Sequence, residues 1–416
     1  MFPRKLEPII VELLSDFRIL YLTGPRQAGK TTLVKQIAKQ LGMQYVTLDD
    51  QSVLAAVKND PQGYIRSLGK KKLVLDEFQY APGLIPAIKE ASDALRPDEK
   101  GKFLLTGSAD IFRSAKTQEA LPGHLARVEL YPLSITEIKA QSFNLVDYII
   151  EGDFQPRPTP FLNREEIARL LLNGGYPEVQ DKSQRSRQVW FKSYIEGRLY
   201  KDFEILYASR GDYHSKLSAL TPYLAGLSGN LLKYASISND LGLDDKLVKA
   251  YIEILDLMFI SKRLPAYAKN PAKRLAIGMP KAQFVDTGLA CHLLGLRQEE
   301  QLLQSQFYGG LLESFVFMEF CKHMTWAAEE VRLYHFRDKS QNEVDLVLEQ
   351  DDAKIIGIEI KASATITPQD FKGLTKLAAY AGRYFEQGVL FYTGSEVLPF
   401  KQGDLVFHAI PLSILL

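Results

Sequence analysis

The stretch Gly24-Pro25-Arg26-Gln27-Ala28-Gly29-Lys30-Thr31-Thr32 decides the fold of the first part of this chain. It fits the pattern G-x-x-x-x-G-K-[ST] at every fixed position, and the apolar run Phe17–Leu22 precedes it. Glycines let the backbone curl so that successive N–H groups face phosphate oxygens, and the following helix adds its positive N-terminal end. Lys30 is therefore predicted to contact the β- and γ-phosphates of ATP, and the Thr31 hydroxyl to ligate Mg²⁺.

A second motif combines an apolar run with two carboxylates. Leu73-Val74-Leu75 ends in Asp76 and Glu77. After a phosphate-binding loop this is the Walker B arrangement, in which Asp76 holds magnesium through water and Glu77 polarises the attacking water. Taken alone, the same pattern describes a strand that ends at the edge of a sheet in solvent. Together, the two motifs favour hydrolysis of a nucleoside triphosphate.

A third apolar run, Phe103–Leu105, is followed by Thr106-Gly107-Ser108. A polar side chain at this strand tip is positioned to sense the γ-phosphate; Ser108 is the first candidate and Thr106 the second. A simple Gly-Ser turn is an equally good interpretation. Short apolar runs separated by helical stretches predict a parallel sheet buried on both faces. We therefore expect a P-loop ATPase domain over residues 1–150.

Composition describes an ordinary globular protein of two or three domains: 416 residues, 46% hydrophobic and 24% charged. The 51 basic and 50 acidic residues leave a net charge of +1, which neither supports nor excludes a nucleic-acid partner. No run approaches the roughly 20 apolar residues of a membrane span. The first residues become acidic before any apolar region develops, which does not fit a signal peptide. Two isolated cysteines make a disulfide framework or structural zinc improbable, so a cytoplasmic protein is expected.

The middle of the chain, 161–290, is predicted to be helical after a proline-rich linker at Gly152–Pro160. Within it, about 235–285 reads as a helix, a glycine turn, an amphipathic helix from Lys246 to Met258, and a strand at Phe259–Leu264. This order is typical of a winged helix-turn-helix. Basic side chains on the wing would suit phosphates of DNA. They are Lys262, Arg263, Lys269, Lys273 and Arg274.

Winged helices also serve as scaffolds beside ATPase modules, and two aspartates at the start of the second helix, Asp244 and Asp245, would repel DNA. Both interpretations of this region therefore stay open.

The region 300–416 returns to an α/β pattern. Asp345 lies near the end of one predicted strand, while Glu359 and Lys361 share one face of the next, because strand side chains repeat every two residues. Two neighbouring strands can bring Asp345 and Glu359 together on a divalent metal with Lys361 alongside, the D…(D/E)-x-K geometry of restriction-type nucleases. Glu313, on a predicted helix, is a further candidate ligand. A purely structural set of carboxylates is an equally good interpretation.

Taken together, the motifs resemble a bacterial and archaeal family of AAA-type ATPases. Its members join a P-loop domain to a C-terminal domain of unknown function with a restriction-endonuclease-like core. The resemblance extends over nearly the whole chain and implies this α/β architecture more than it implies a biological role. Besides the segments above, it includes Leu105–Ser108, Tyr131-Pro132-Leu133-Ser134 with Glu137, Gly174-Gly175-Tyr176-Pro177-Glu178 and Phe284-Val285-Asp286-Thr287-Gly288-Leu289.

One position departs from the family. Its members usually carry Gly-Arg before the Pro-Leu-Ser segment, and this chain has Gly123-His124. Histidine does not keep a permanent charge at neutral pH, so an arginine that senses the γ-phosphate has to be sought elsewhere, with Arg127 and Arg113 as candidates.

Three functional hypotheses follow. The first is ATP hydrolysis coupled to work on branched or duplex DNA, with the nuclease-like domain binding and sometimes cutting it. The second is a nucleotide-dependent switch that binds a protein partner. The third is a magnesium-dependent nuclease gated by ATP. A homo-oligomer is left open by the sequence.

Overall fold

The computed structural model describes residues 2–109, 125–154, 162–207, 213–270, 274 and 278–416. Contacts divide the chain into two units. The first comprises Met1–Leu133 with Leu257–Phe259, and the second comprises Ser134–Asp256 with Ile260–Leu416. The second unit therefore holds both the middle region and the C-terminal region, and its start lies before residue 150, where the sequence placed the end of the ATPase domain.

The first unit is built on a five-stranded, wholly parallel sheet with the order β2-β3-β4-β1-β5. Its central strands are fully buried because each is a continuous apolar run covered by helices on both faces. The strands are β1 Ile19–Thr23, β2 Gln44–Thr47, β3 Leu73–Asp76, β4 Phe103–Gly107 and β5 Leu125–Glu129; the helices are α1 Glu7–Asp16, α2 Lys30–Leu41, α3 Gln51–Asn59, α4 Pro61–Ser67 and α5 Ile85–Asp93.

The second unit begins with helices. Several start at side-chain caps: Ser134 and Glu137 form a capping box, as do Asn163 and Glu166. These helices are α6 Ile135–Ile138, α7 Leu145–Glu151, α8 Arg164–Asn173, α9 Gln184–Tyr194, α10 Tyr200–Tyr207, α11 Tyr213–Gly226, α12 Tyr234–Leu241 and α13 Asp245–Leu257, with a π-helical turn at Ile195–Leu199.

A two-stranded antiparallel ribbon, β6 Ser261–Leu264 and β7 Lys281–Phe284, follows α13. Helix, glycine turn, helix and ribbon occur in the order predicted for a winged helix, and that assignment stays a prediction. Asp286 then caps the next helix by accepting from Leu289 N at 2.9 Å and also accepts from Gly175 N at 2.7 Å. Asp286 thus links two of the segments on which the family resemblance rests, 174–178 and 284–289. The helices after the ribbon are α14 Thr287–Leu293, α15 Glu299–Gln304 and α16 Tyr308–Met324.

The C-terminal part is a mixed six-stranded sheet with the order β12-β13-β11-β10-β9-β8. Its core strands pair in parallel at β10–β11 and β11–β13, and antiparallel at β8–β9, β9–β10 and β12–β13. The predicted α/β class is confirmed for both sheets. The strands are β8 Val331–Arg337, β9 Glu343–Gln350, β10 Ile355–Ile360, β11 Phe385–Tyr392, β12 Leu398–Gln402 and β13 Leu405–Pro411, and α17 Lys372–Ala381 packs on them.

Short 3-10 helices connect several of these elements. They span Phe78–Tyr80, Pro82–Leu84, Pro177–Val179, Pro368–Phe371, Gly382–Tyr384 and Leu412–Leu415.

Candidate functional site

The phosphate-binding loop lies between β1 and α2, where the sequence placed it. Gly24 adopts φ +150°, and a Cβ there would come within 2.0 Å of the Leu130 carbonyl oxygen, so the close approach of the two backbones requires glycine. Gly29, at φ +99°, begins α2. Arg4 donates to the Ala28 carbonyl oxygen at 2.6 Å. The loop is therefore held in shape by its own unit; Pro25, Arg26 and Gln27 complete it, and Thr31 and Thr32 belong to the first turn of α2.

Lys30 is buried within this loop. Its ammonium donates to the carbonyl oxygens of Gly24 and Pro25, each at 2.7 Å. Both acceptors are neutral, whereas phosphate oxygens are charged, and charge-assisted hydrogen bonds are roughly twice as strong as neutral ones. The lysine can therefore exchange its carbonyl partners for a phosphate.

Asp76 stands at the end of β3, next to the first turn of α2, and is almost completely buried. One of its carboxylate oxygens accepts from the hydroxyls of Thr31, at 2.8 Å, and Tyr45, at 2.7 Å. The other accepts from the Thr106 hydroxyl. A threonine hydroxyl beside a carboxylate is a set of hard oxygen ligands that suits Mg²⁺. Thr31 and Asp76 therefore fit the predicted magnesium site.

Glu77 follows directly in a left-handed backbone conformation, φ +58°, which is uncommon for a residue with a side chain. Such strain is found at sites where surrounding contacts fix the backbone. Two contacts do so: the Glu77 N–H donates to the Thr106 hydroxyl at 3.2 Å, and Gln79 donates from its amide to the Glu77 carboxylate. The same Gln79 amide lies 2.9 Å from the Ser108 hydroxyl. Gln79 therefore contacts both the predicted catalytic base, Glu77, and the predicted sensor, Ser108.

Tyr45 and Gln79 were not predicted from the sequence. Tyr45 lies on β2, a short strand with little apolar character, and burial followed by the hydrogen bond to Asp76 raises its pKa. Gln79 lies in the 3-10 helix Phe78–Tyr80 just beyond the Walker B strand. Its position two residues after Glu77 was the available signal, because a tight turn brings such side chains back to the strand end.

Arginines near the loop are partnered within the first unit. Arg26 donates to the Tyr80 hydroxyl at 2.6 Å, and Arg127 forms an ion pair with Glu129. Arg113 and His124 lie outside the described residues. Arg127, one of the two candidates for the missing arginine, thus has an intramolecular carboxylate partner.

The basic residues of the predicted wing differ from one another. Arg274 forms a double ion pair with Glu349, at 2.6 Å for the Nη1 bond, and Arg263 donates to Asp256 at 2.7 Å. Lys262 is half-buried and Lys269 is exposed beside the Tyr380 ring, while Lys273 lies outside the described residues. The two arginines are therefore engaged by carboxylates within the second unit.

The predicted nuclease carboxylates do come together in the second unit. The pairing of Ile358 with Leu346 leaves Asp345 on β9 and Glu359 on β10 next along the two strands, opposite each other. Glu313 reaches the same place from α16. Lys361 lies just after β10, and its ammonium is 3.9 Å from the carboxylate of Asp370. We call Glu313, Asp345 and Glu359 the acidic cluster.

Lys281, which the sequence did not single out, lies in the acidic cluster. Its ammonium is 2.9 Å from the Glu313 carboxylate and 3.3 Å from that of Asp345. Among the described residues, no group of three or more histidine, cysteine or acidic side chains is arranged to hold a metal ion.

Comparison with known proteins agrees with the geometry of the loop. Residues 16–139 match the family model of an AAA domain. This match spans most of the N-terminal unit and supports an AAA-type P-loop domain there. Residues 308–415 match a domain of unknown function, DUF4143, and residues 164–300 match a second one, DUF8612.

An uncharacterized protein of Mycobacterium tuberculosis is 27% identical over 349 residues, covering 83% of this chain and 71% of that protein. Among solved structures, the Walker-type ATPase PABY2304 of Pyrococcus abyssi is 16% identical and covers 70% of this chain and 96% of its own, with a TM-score of 0.41. The ORC2 protein of Aeropyrum pernix is 12% identical and covers 70% of this chain and 90% of its own, with a TM-score of 0.32. Within the described part of the chain, no helix combines the length and apolar character needed to cross a bilayer.

Proposed function

We propose that this chain binds ATP with Mg²⁺ and hydrolyses it in the N-terminal unit. The observation that carries the proposal is the convergence on Asp76 of hydroxyls from three separate elements, Thr31, Tyr45 and Thr106, beside the buried ammonium of Lys30. Such preorganisation of a carboxylate next to a phosphate-binding loop suits magnesium binding in phosphoryl transfer.

Each residue has a distinct role in the proposed reaction. The loop N–H groups and Lys30 bind the phosphates, and Lys30 stabilises charge on the γ-phosphate. Thr31 and Asp76 would hold magnesium, which neutralises phosphate charge when it is bound. Glu77 orients the attacking water and accepts its proton, and Ser108 contacts the γ-phosphate side of the site.

Substituting Glu77 by Gln tests this assignment. We expect ATP affinity to stay within about threefold of wild type and turnover to fall by roughly 100- to 1000-fold, because the amide cannot accept the proton from water. Glu90→Gln is the matched control, since Glu90 is an exposed carboxylate that pairs with Arg66. Purified Glu77→Gln protein with wild-type turnover would contradict the proposal.

The use made of hydrolysis is a second part of the proposal. We take DNA as the first partner to test, since the order of α12, α13, β6 and β7 is that of a winged helix and Lys269 is exposed beside it. A protein partner is the alternative, with the chain acting as a nucleotide-dependent switch. One observation favours this alternative: Arg263 and Arg274 are engaged by Asp256 and Glu349.

The rate of ATP hydrolysis, measured with and without single-stranded, duplex and branched DNA, separates the two uses. Stimulation that weakens as salt rises supports a DNA partner, because binding that neutralises phosphates releases counterions. Slow hydrolysis that no DNA changes supports the switch. Glu77→Gln protein in the same assay removes any contribution from contaminating ATPases.

A further inference from the structure

Lys281 lies at the start of β7 and is 3% exposed in its side chain, which is unusual for lysine outside a paired site. Its ammonium stands between Glu313 of α16 and Asp345 of β9, at 2.9 and 3.3 Å. The ribbon strand β7 thus delivers a cation to the point where the helix and the C-terminal sheet bring their carboxylates together.

We infer that the ammonium of Lys281 takes the place that a divalent metal would have in the acidic cluster, so that the C-terminal domain holds no metal there. Restriction-type geometry requires free carboxylate oxygens on Asp345 and Glu359 for the metal. In the structure the ammonium of Lys281 already lies against Asp345 and Glu313, so the predicted metal site does not fit the side chains present. This inference is independent of ATP hydrolysis in the other unit.

The hydrogen bonds of the cluster leave few oxygens for a metal. Glu313 accepts from Lys281 and from the Gln283 amide at 2.9 Å each, on the same oxygen. Asp345 accepts from Lys281 on one oxygen and from the Ile360 N–H, at 2.9 Å, on the other. Because the ammonium of Lys281 lies between Glu313 and Asp345, a metal that bridged these two carboxylates would have to displace the lysine.

The backbone at Gly229 approaches the remaining oxygen of Glu313 on one side. A Cβ at Gly229 would lie 2.9 Å from it, so the chain passes too close to admit a hydrated ion on that side. Mg²⁺ usually keeps several of its waters when it binds to protein, so the close backbone at Gly229 disfavours it on this side.

The cluster holds one buried cation, while burial and then the charge of Asp345 raise the pKa of Glu313 to about 8. Burial alone would lower the pKa of Lys281, but the charges of Asp345 and Glu313 raise it, so the ammonium stays charged. Burial and then the charge of Asp345 raise the pKa of Glu359. The nearby His335 stays neutral, because burial and the Lys281 charge lower its pKa to about 4. Lys281 is therefore the buried cation of the cluster.

Manganese binding by the full chain without nucleotide, followed by the spectroscopic signal of free Mn²⁺, tests the inference. Wild type and Lys281→Arg should bind no more manganese than Asp345→Asn does. Lys281→Met should gain about one ion per chain at roughly 1 mM manganese, because the cation between Glu313 and Asp345 is then missing. The gain should disappear in Lys281→Met combined with Asp345→Asn.

Two results would overturn the inference: manganese bound by wild type and lost in Asp345→Asn, or a folded Lys281→Met protein that gains no ion. The comparison of wild type with Asp345→Asn does not depend on whether Lys281→Met folds, so it decides the question by itself.

Discussion

Two buried lysines, one in each unit, show how a lysine that can bind a charged ligand differs from one whose charge is already paired within the protein. Lys30 donates to two neutral carbonyl oxygens of its own loop, and Lys281 donates to two carboxylates from other elements. An ammonium gains when it leaves carbonyls for a charged phosphate, whereas leaving a buried carboxylate strands two unpaired charges. Although both lysines are buried, only Lys30 has a partner that a ligand can improve upon.

This difference predicts opposite outcomes for the same substitution at the two positions. Lys30→Met should lower ATP turnover by at least about 1000-fold, because the γ-phosphate loses its cation, and it should cost only about 1 kcal/mol of unfolding free energy. Lys39→Met, on the exposed side of the same helix, is the control for both measurements. Steady-state kinetics and chemical denaturation check the two numbers. A large loss of stability with intact turnover would reverse the comparison.

Lys281→Met should instead act on stability. Removing one partner of a buried ion pair leaves uncompensated charge and typically costs about 3–5 kcal/mol. We therefore expect a clear drop in the free energy of unfolding of the second unit, measured by chemical denaturation without divalent metal. Lys249→Met, an exposed lysine on α13, should change that free energy by less than about 0.5 kcal/mol. Equally small effects at both positions would mean that the ion pairs of Lys281 do not contribute to the free energy of unfolding.

Glu319, a carboxylate further along α16, extends the comparison because its contribution to stability should depend on pH. Glu319 is fully buried, whereas Glu313 is slightly exposed, and Glu319 pairs with Lys322 at 2.8 Å and accepts from the Ile135 N–H at 3.0 Å. Burial opposes its charge, yet Lys322 and His323 together lower its pKa from 4.5 to about 2. Because the folded-state pKa is depressed, its contribution to stability is present above pH 4.5 and is lost as the pH falls toward 2.

Glu319→Gln should therefore lower the free energy of unfolding by about 3 kcal/mol at neutral pH. The gap to wild type should close as the pH falls between those two values. Denaturation curves at a series of pH values measure it, and Glu330→Gln, at an exposed position, is the control. A gap that stays constant with pH would show that packing, and not charge, carries the effect.

The loop and the α/β class could be predicted because their signals are local. The residues from Gly24 to Thr32 have fixed spacing, and the strands that flank them are continuous apolar runs. Strands β2, β5, β7, β12 and β13 were not predicted; β2 and β12 have partly exposed, mixed side chains that resemble loops. Local signals also placed Asp345 and Glu359 on adjacent strands, because alternation along a strand is a property of the sequence itself.

The cation of the acidic cluster could not be predicted in the same way. Lys281 meets Glu313 and Asp345 across 32 and 64 residues of chain, and only the packing of β7 against α16 and β9 brings them together. The engagement of Arg274 by Glu349, 75 residues away, was hidden for the same reason. A sequence shows which charges a chain carries, but the fold decides which of them neutralise one another.

The smallest predicted effect concerns the coupling of groups within the ATP site. Gln79 joins the carboxylate of Glu77 to the hydroxyl of Ser108. Neither of these contacts involves the phosphate-binding loop. Gln79→Ala should thus lower turnover by roughly tenfold and leave ATP affinity unchanged, because only the orientation of Glu77 is lost. Gln51→Ala, at the exposed start of α3, is the control. If Gln79→Ala weakened ATP binding and left turnover at saturation intact, Gln79 would belong to the binding surface. The loop and the carboxylate would then act without a link through Ser108.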